Sequence, residues 1–513
     1  MGNSQHQDEL TWTGRLMGGF RDDIARKLPF YFSDFTDGFH PKVLGSTLFL
    51  FFACLANAIA FGALTGLLTN NTIGIIEMLV VTAIGGILFA MFAGQPLTLL
   101  GGTGPITIFT GLLYATCTQY EISFLATYAW VGIWSGIILI ICALTDASAL
   151  MRHFTRFTDE IFAGLISIIF IYEAIKDIIH AYDGGDLSKA FLSTILALGT
   201  FMIARNLKMA TKRPYLSRTA REFLSDFGPA LAIVIMTLFA LKFPEVQLGQ
   251  PAVPEVLGTT SGRAWLAPLG DLSTTSIFLC AIPAFMVSIL LFLDQNITVR
   301  IVNARDNRLR KGGGYHLDLF IVGILVLVAS FFALPWIVAA TVHSMNHVKS
   351  LADTKIDKQG DSNKEVIVSV RENRVSALTI HVLIGVSVFF LSLIAQIPMA
   401  VLFGLFLYMG FSSLGGNQFW ERLVLWITDS RLYPDTHYTK HIPIWTIHKF
   451  TFIQLVCFIA LWVVKSSKLG ILFPLMIAAL VPIRMFVSRF FEPEHVALLI
   501  AEDPEEALEM HST

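Results

Sequence analysis

Apolar residues run through this chain in long blocks separated by polar breaks, and the blocks have the length of bilayer-spanning helices. No Asp, Glu, Lys or Arg occurs between Lys42 and Glu77, between Glu77 and Glu121, or between Arg374 and Glu421. Each gap exceeds the roughly 20 apolar residues that cross a hydrocarbon core as a helix. The runs and their breaks predict fourteen segments: 43–67, 74–94, a short one at 104–115, 122–146, 160–181, 189–206, 224–243, 274–301, 315–333, a short one at 338–349, 374–396, 398–416, 450–466 and 469–488. The stretches 244–273, 350–373 and 417–449 are the main loops. From Leu10 to Leu28, closed by Pro29, the residues Trp12, Leu16, Phe20, Ile24 and Leu28 recur every four positions above a charged face. That pattern predicts an amphipathic helix lying in the membrane interface.

Retained Lys and Arg mark the cytoplasmic side of a membrane protein. Arg152 and Arg156 fall on one predicted inner loop, and Arg205, Lys208, Lys212, Arg213, Arg218 and Arg221 on the next. Arg305, Arg308, Arg310 and Lys311 follow, then Lys349, Lys355, Lys358 and Lys364, whereas the outer loops and their edges hold Lys189, Lys242 and Arg263. This parity requires each short segment to complete a crossing together with the extended chain before it. The two are half-helices, third and tenth in order, entered through Gly101–Pro105 and through Leu334, Pro335 and Trp336. Seven crossings, an odd number, invert the second half, so the expected fold is an all-α membrane protein built as 7+7 inverted repeats. Interrupted segments at matched places in inverted halves point to a transporter's binding site.

Composition narrows the classes further. The chain has 513 residues, 54% of them hydrophobic and only 14% charged, which excludes a soluble enzyme. A net charge of −2 gives no footprint for nucleic acid. The five cysteines lie in or beside apolar runs without CxxC spacing, so neither a disulfide scaffold nor a zinc site is expected. No GxSxG, HExxH or paired catalytic carboxylate motif supports an enzyme. The charged first 40 residues lack a signal-peptide core, so the N-terminus is expected to stay inside. The layout is a cytoplasmic N-terminus over 1–42, a first repeat over 43–243, an outer loop over 244–273, a second repeat over 274–488 and an acidic cytoplasmic tail over 489–513.

The start of a half-helix exposes unpaired N–H groups and the positive end of its dipole. Two such starts meeting in the membrane would hold an anion, with Thr103, Gly104, Pro105 and Ile106 on one side and Ala339, Ala340, Thr341, Val342 and His343 on the other. Thr103, Thr107 and Thr341 offer hydroxyls; satisfying freed backbone carbonyls is the competing use of each. Asp294, inside the eighth segment, is an intramembrane carboxylate and therefore a candidate for function. With Thr298 four residues on, it presents oxygens from one helix face, a reasonable hard-cation site for sodium. A structural pairing with Arg300 is the alternative. His343 is either a donor toward the anion or a packed side chain, His347 reads as structural, and Asp226 reads as a helix N-cap.

The stretches FAGQPLTLLGGTGPITIF, LTDASALMRHFTRFTDEIFAGLISIIFIYEAIKDII, FLDQNIT, KGGGYHLDL, LPWIVAATVHSMNHVKSL and VLFGLFLYMG together resemble the bicarbonate transporter family, from about Leu10 to Arg489. The resemblance implies a homodimer whose protomers have a moving core domain, segments 1–4 and 8–11, and a gate domain, segments 5–7 and 12–14. It is closest to the sodium-coupled branch: Asp294 and Thr298 match residues implicated there in sodium coordination, and Thr341 matches a substrate-site threonine that can also reach the cation. Exchangers carry Glu and Arg at the positions of Asp294 and His343. Thr110 replaces a glutamate usual after the TGP motif, and Lys176 falls where the family has a stilbene-reactive lysine, a snorkelling lysine being the plain alternative. The 244–273 loop has none of the cysteines and glycosylation sequons of animal cotransporters, and the expectation is a bacterial or otherwise minimal member without the long soluble N-terminal domain of animal members.

The resulting expectation is a multi-pass plasma-membrane transporter with both termini cytoplasmic. It would move bicarbonate or carbonate with sodium as coupling ion, by elevator-type alternating access and with no other cofactor. The alternatives are sodium-independent chloride/bicarbonate exchange, transport of borate or another oxyanion, or a bicarbonate-binding sensor.

Overall fold

In the computed structural model the described residues are 10, 12–254, 257–359, 362–467 and 469–500. Most of them are helical, and nine of the described helices are long and apolar enough to cross a membrane, or ten if Met399–Leu414 and the bent-away Gln418–Val424 form one span. This is a multi-pass integral membrane protein. The first half-helix, Gly104–Gln119, has 16 residues and the second, Thr341–Leu351, has 11. At 1.5 Å per residue they reach about 24 and about 16 Å, short of the roughly 30 Å hydrocarbon core.

The chain forms two compact units. The first comprises the described residues up to Ala149 together with His180–Leu405, and the second comprises Leu150–Ile179 with the described residues from Phe406 onward. In the first unit, Pro41–Leu68, Ile75–Phe92 and Val375–Ser387 pack on one another, and Phe124–Leu144 packs on Tyr315–Phe331 and Ala281–Val302. Close approach sets two positions: a Cβ on Gly86 would collide with the His381 ring, and one on Gly94 would lie 2.8 Å from the Cα of Gly314. The family's core–gate division puts Leu187–Lys208 and Arg218–Ala240 with the gate. By contact within the chain they group with the first unit, where Phe227 meets Phe49 at 5.9 Å and Phe52 at 5.8 Å.

Where residues 18–42, 303–318, 352–353 and 371–374 meet, the first unit is charge-dense. Arg374, 2% exposed, donates from Nε to Asp34 Oδ2 (3.0 Å) and from Nη1 to Ala90 O (2.9 Å). Lys311 Nζ reaches Asp34 Oδ1 at 2.7 Å and Asp37 Oδ2 at 2.9 Å. Burial works against the Lys311 charge, but these carboxylates outweigh it and hold its pKa above the ordinary lysine value. Asp318 accepts from the amides of Gly94 (2.6 Å) and Gln95 (3.1 Å). In the second unit, Arg422 is fully buried. It donates to Glu160 Oε2 at 2.7 Å and Gln454 Oε1 at 2.9 Å, and it lies over the Tyr438 and Phe450 rings.

Several expectations need correction. The interfacial helix runs Gly18–Lys27 and does not begin at Leu10. Gly14 and Met17 take positive φ, and Asp146 captures the amides of Thr13 and Gly19. Asp226 is not an N-cap but lies inside Arg218–Ala240, whose cap is Ser217, accepting from Ala220 N at 3.3 Å. The 350–373 loop contains an antiparallel hairpin, Ala352–Gln359 with Ser362–Val370; Val366, Ile367, Val368 and Val370 supply the β-branched residues that favour strand. Ile444–Ser466 starts before 450, and the acidic tail opens with a helix, Pro493–Ile500, while 501–513 lie outside the described residues.

Candidate functional site

The extended stretches that lead into the two half-helices cross and pair. Leu100–Gly101 and Val338–Ala339 form a two-residue antiparallel ladder, Leu100 opposite Ala339 and Gly101 opposite Val338. Non-helical backbone inside a membrane needs every N–H and C=O met by protein. Here Ala340 N donates to Leu99 O (2.8 Å), Leu99 N to Ser344 Oγ (3.0 Å), and Asn57 Nδ2 to Gly102 O (3.2 Å). His347 Nδ1 lies 2.9 Å from Leu97 O, and His381 Nε2 3.4 Å from Leu100 O. Asn57, Ser344, His347 and His381 are all buried.

One helix, Ala281–Val302, reaches both half-helices within little more than a turn. Thr103, the N-cap of the first half-helix, makes no side-chain cap; its hydroxyl donates instead to Asp294 Oδ2 at 2.7 Å. Thr298 Oγ1 lies 2.6 Å from Thr341 Oγ1, at the start of the second half-helix, and donates to Ala339 O at 3.3 Å. Gln295 Oε1 accepts from Ala339 N at 3.0 Å. The helix face predicted from the spacing of Asp294 and Thr298 is thus turned to both half-helices, Asp294 to one and Thr298 to the other.

The remaining candidates fall into place around this crossing. Gly104, Pro105 and Ile106 form the buried first turn of one half-helix; Ala340 is the N-cap of the other, and Thr341, Val342 and His343 are its first turn. Neither first turn carries an acidic residue, so the amide ends are left to meet negative charge. His343 Nε2 lies 3.2 Å from Ala53 O; a carbonyl only accepts, so Nε2 carries the proton. His347 is bound on both ring nitrogens, to Leu97 O and to Ser376 Oγ at 2.7 Å. Thr110 donates to Ile106 O within its own helix. Lys176 belongs to the second unit, exposed, with Nζ 3.9 Å from Glu173 Oε2, and takes no part in the crossing. Sequence reasoning missed Asn57, Gln295, Ser344 and His381. Their signal was the polar side chain inside an apolar run.

Half-helices paired through short antiparallel strands, set among long apolar helices, define a transporter-type membrane fold. The transmembrane domain of a cyanobacterial bicarbonate transporter, BicA, shares it, with a TM-score of 0.61 at 16% identity over 84% of this chain and 97% of that one. Residues 15–189 and 186–504 match the family described as the HCO3- transporter integral membrane domain, and the chain belongs to that family. It is 36% identical over 96% of its length to sodium bicarbonate cotransporter 3 of Rattus norvegicus, covering 46% of that protein. It is 36% identical over 98% of its length to electrogenic sodium bicarbonate cotransporter 1 of Sus scrofa, covering 54%. The chain spans about half the length of the curated relatives it matches.

Proposed function

We propose that this chain is a secondary active transporter that carries bicarbonate or carbonate together with sodium across the plasma membrane. The observation that carries the reading is the crossing itself. The strands that lead into the two half-helix starts pair with one another, and a single neighbouring helix sends a carboxylate, Asp294, to one start and a hydroxyl, Thr298, to the other. The names of the relatives, sodium bicarbonate cotransporters, agree with it. The anion sits between Thr103–Ile106 and Ala339–His343, held by backbone dipoles and hydroxyls and by no fixed cationic side chain. Sodium takes Asp294, Thr298 and Thr341. A cation on the Thr298 oxygen occupies its lone pairs and holds its O–H on Ala339 O, fixing the strand that leads into the second half-helix. Cation binding thereby orders the anion's second helix end, and symport follows because each ion completes the other's site.

The nine long apolar helices, the 399–424 pair, Tyr315–Phe331, Arg156–His180 and the two half-helices supply fourteen segments in two inverted sets of seven. Both termini are cytoplasmic, following the basic loops, and two protomers form a homodimer in which the core carries the ions past the gate. The test is uptake of labelled bicarbonate into proteoliposomes under sodium or chloride gradients. Sodium should drive uptake in the wild type and not in Asp294→Asn. Full sodium-driven uptake in that variant sinks the assignment, and chloride-driven uptake without sodium would mark an exchanger instead.

A further inference from the structure

Gln295 stands between the proposed cation ligands Asp294 and Thr298 in the chain. It is fully buried, beside Asp294 in sequence and one turn before Thr298. Its Oε1 takes the N–H of Ala339 at 3.0 Å, while Thr298 donates to the C=O of the same residue at 3.3 Å. Ala339 is thus gripped by both of its backbone groups from one helix, two residues before the second half-helix begins, and it faces Leu100 across the ladder. The Nε2 of Gln295 has no hydrogen-bond partner among the described residues. A buried amide donor left unmet is costly, so an apolar residue of the same length would suit packing better unless the oxygen matters.

We infer that Gln295 is a positioning residue that links the two ion sites by fixing Ala339, so that the hydroxyl of Thr298 reports cation binding to the anion's helix end. The inference rests on the sodium–bicarbonate reading above. Without the amide oxygen, the strand around Ala339 can shift, and the Thr298 hydrogen bond then follows the strand instead of directing it. Sodium would still bind at Asp294 and Thr298, but its binding would no longer order Ala339–His343. Thermodynamic reciprocity then requires that both ions lose their mutual effect together.

The experiment measures the KM for bicarbonate at several sodium concentrations, and the KM for sodium at several bicarbonate concentrations, in proteoliposomes of wild type, Gln295→Met and Gln295→Glu. Wild type should show each ion lowering the other's KM. Gln295→Met, similar in length but without an acceptor, should raise both KM values at saturation of the partner ion by about tenfold, the scale of one lost hydrogen bond, with Vmax kept and the mutual effect abolished. Gln295→Glu keeps an acceptor oxygen in either protonation state and should keep the mutual effect. If Gln295→Met retains the wild-type linkage, or loses only Vmax, the inference is overturned while the sodium reading stands. If Gln295→Met does not fold, loss of linkage in a folded Gln295→Glu overturns it. A wild type with no sodium effect overturns the sodium reading and the inference with it.

Discussion

Docking of the Gly18–Lys27 helix should tighten as the medium acidifies through neutral pH, and Asp23 sets the slope. Its carboxylate is 1% exposed. Oδ2 accepts from the amides of His316 (2.7 Å) and Leu317 (3.1 Å), capping Tyr315–Phe331, and Oδ1 accepts from Arg26 Nη1 at 3.0 Å. Burial pushes its pKa up from 3.8 to about 7, with Arg26 and the two amides pulling the other way and Asp318 adding to the rise. The docked form therefore binds the proton more tightly than the released form, and the stabilisation is complete below 3.8 and lost as pH rises through about 7. Between pH 6 and pH 8 the change is about 1.4 kcal/mol, or roughly tenfold in the opening equilibrium. Lys27, which donates to Gly312 O, has its pKa lowered by burial and acts in the opposite sense. Asp146, held below the ordinary carboxylate value despite burial by Thr13 and Gly19, titrates below this window. The readout is accordingly the difference between wild type and Asp23→Asn, in which those groups cancel. Amide hydrogen exchange across residues 19–27, corrected for the intrinsic pH dependence of exchange, should slow about tenfold more from pH 8 to pH 6 in wild type than in Asp23→Asn. Equal slopes in the two proteins, or a steeper slowing toward pH 6 in Asp23→Asn than in wild type, refute the argument.

In the second unit, Arg422→Met should lower stability by about 3–5 kcal/mol because it strands the Glu160 carboxylate in an apolar interior. Thermal unfolding of the purified protein reads the loss, and adding Glu160→Leu should return part of it; no recovery in the double variant would show that packing, not the stranded charge, dominates. His343→Leu removes the donor to Ala53 O. Sodium-dependent uptake should persist in this variant with a raised KM for bicarbonate, because the first turn of the second half-helix loses its bond to Ala53; a KM equal to that of the wild type would leave His343 as packing.

The parts of the fold that depend on neighbours in sequence were legible. Apolar runs placed Pro41–Leu68 and Ile75–Phe92 to within about two residues, a precision set by frayed helix ends. Glycine, proline and Trp336 before two short apolar segments marked both half-helices, and a carboxylate with a hydroxyl four residues on marked the helix that serves them. Partners distant in sequence were not legible. Arg374 meets Asp34 across 340 positions, Gln295 meets Ala339 across 44, and the two-residue strands are too short to carry any alternation. The hairpin at 352–370 was hidden for another reason. Its lysines and acids read as a solvated loop, and only Val366–Val370 carried strand propensity.

The crossing and the charge-dense end of the first unit divide the electrostatic work between them. Among the described residues hydrogen-bonded to the paired strands and the half-helix starts, Asp294 alone is an Asp, Glu, Lys or Arg, so the field there is set by amide ends and by whatever ions bind. Fixed lysines or arginines at that point would bind an anion permanently and remove the need for a cation. The second half-helix still has to be held in place, and besides Ser344 and His347 within it, further anchors lie beyond its C-terminal end. Lys42 bridges to Asp353 at 2.8 Å, Arg371 N donates to Leu351 O at 3.2 Å, and Glu372 takes the amides of Arg310 and Lys311. Val43, Leu97, Val302, Val348, Leu351 and Val370 close an apolar cluster beneath them. A half-helix fixed at its C-terminal end and tethered at its start by Gln295 and Thr298 can respond to an ion by small movements of Ala339–His343 alone. In the proposed transport cycle that restriction is what lets one hydroxyl carry the coupling.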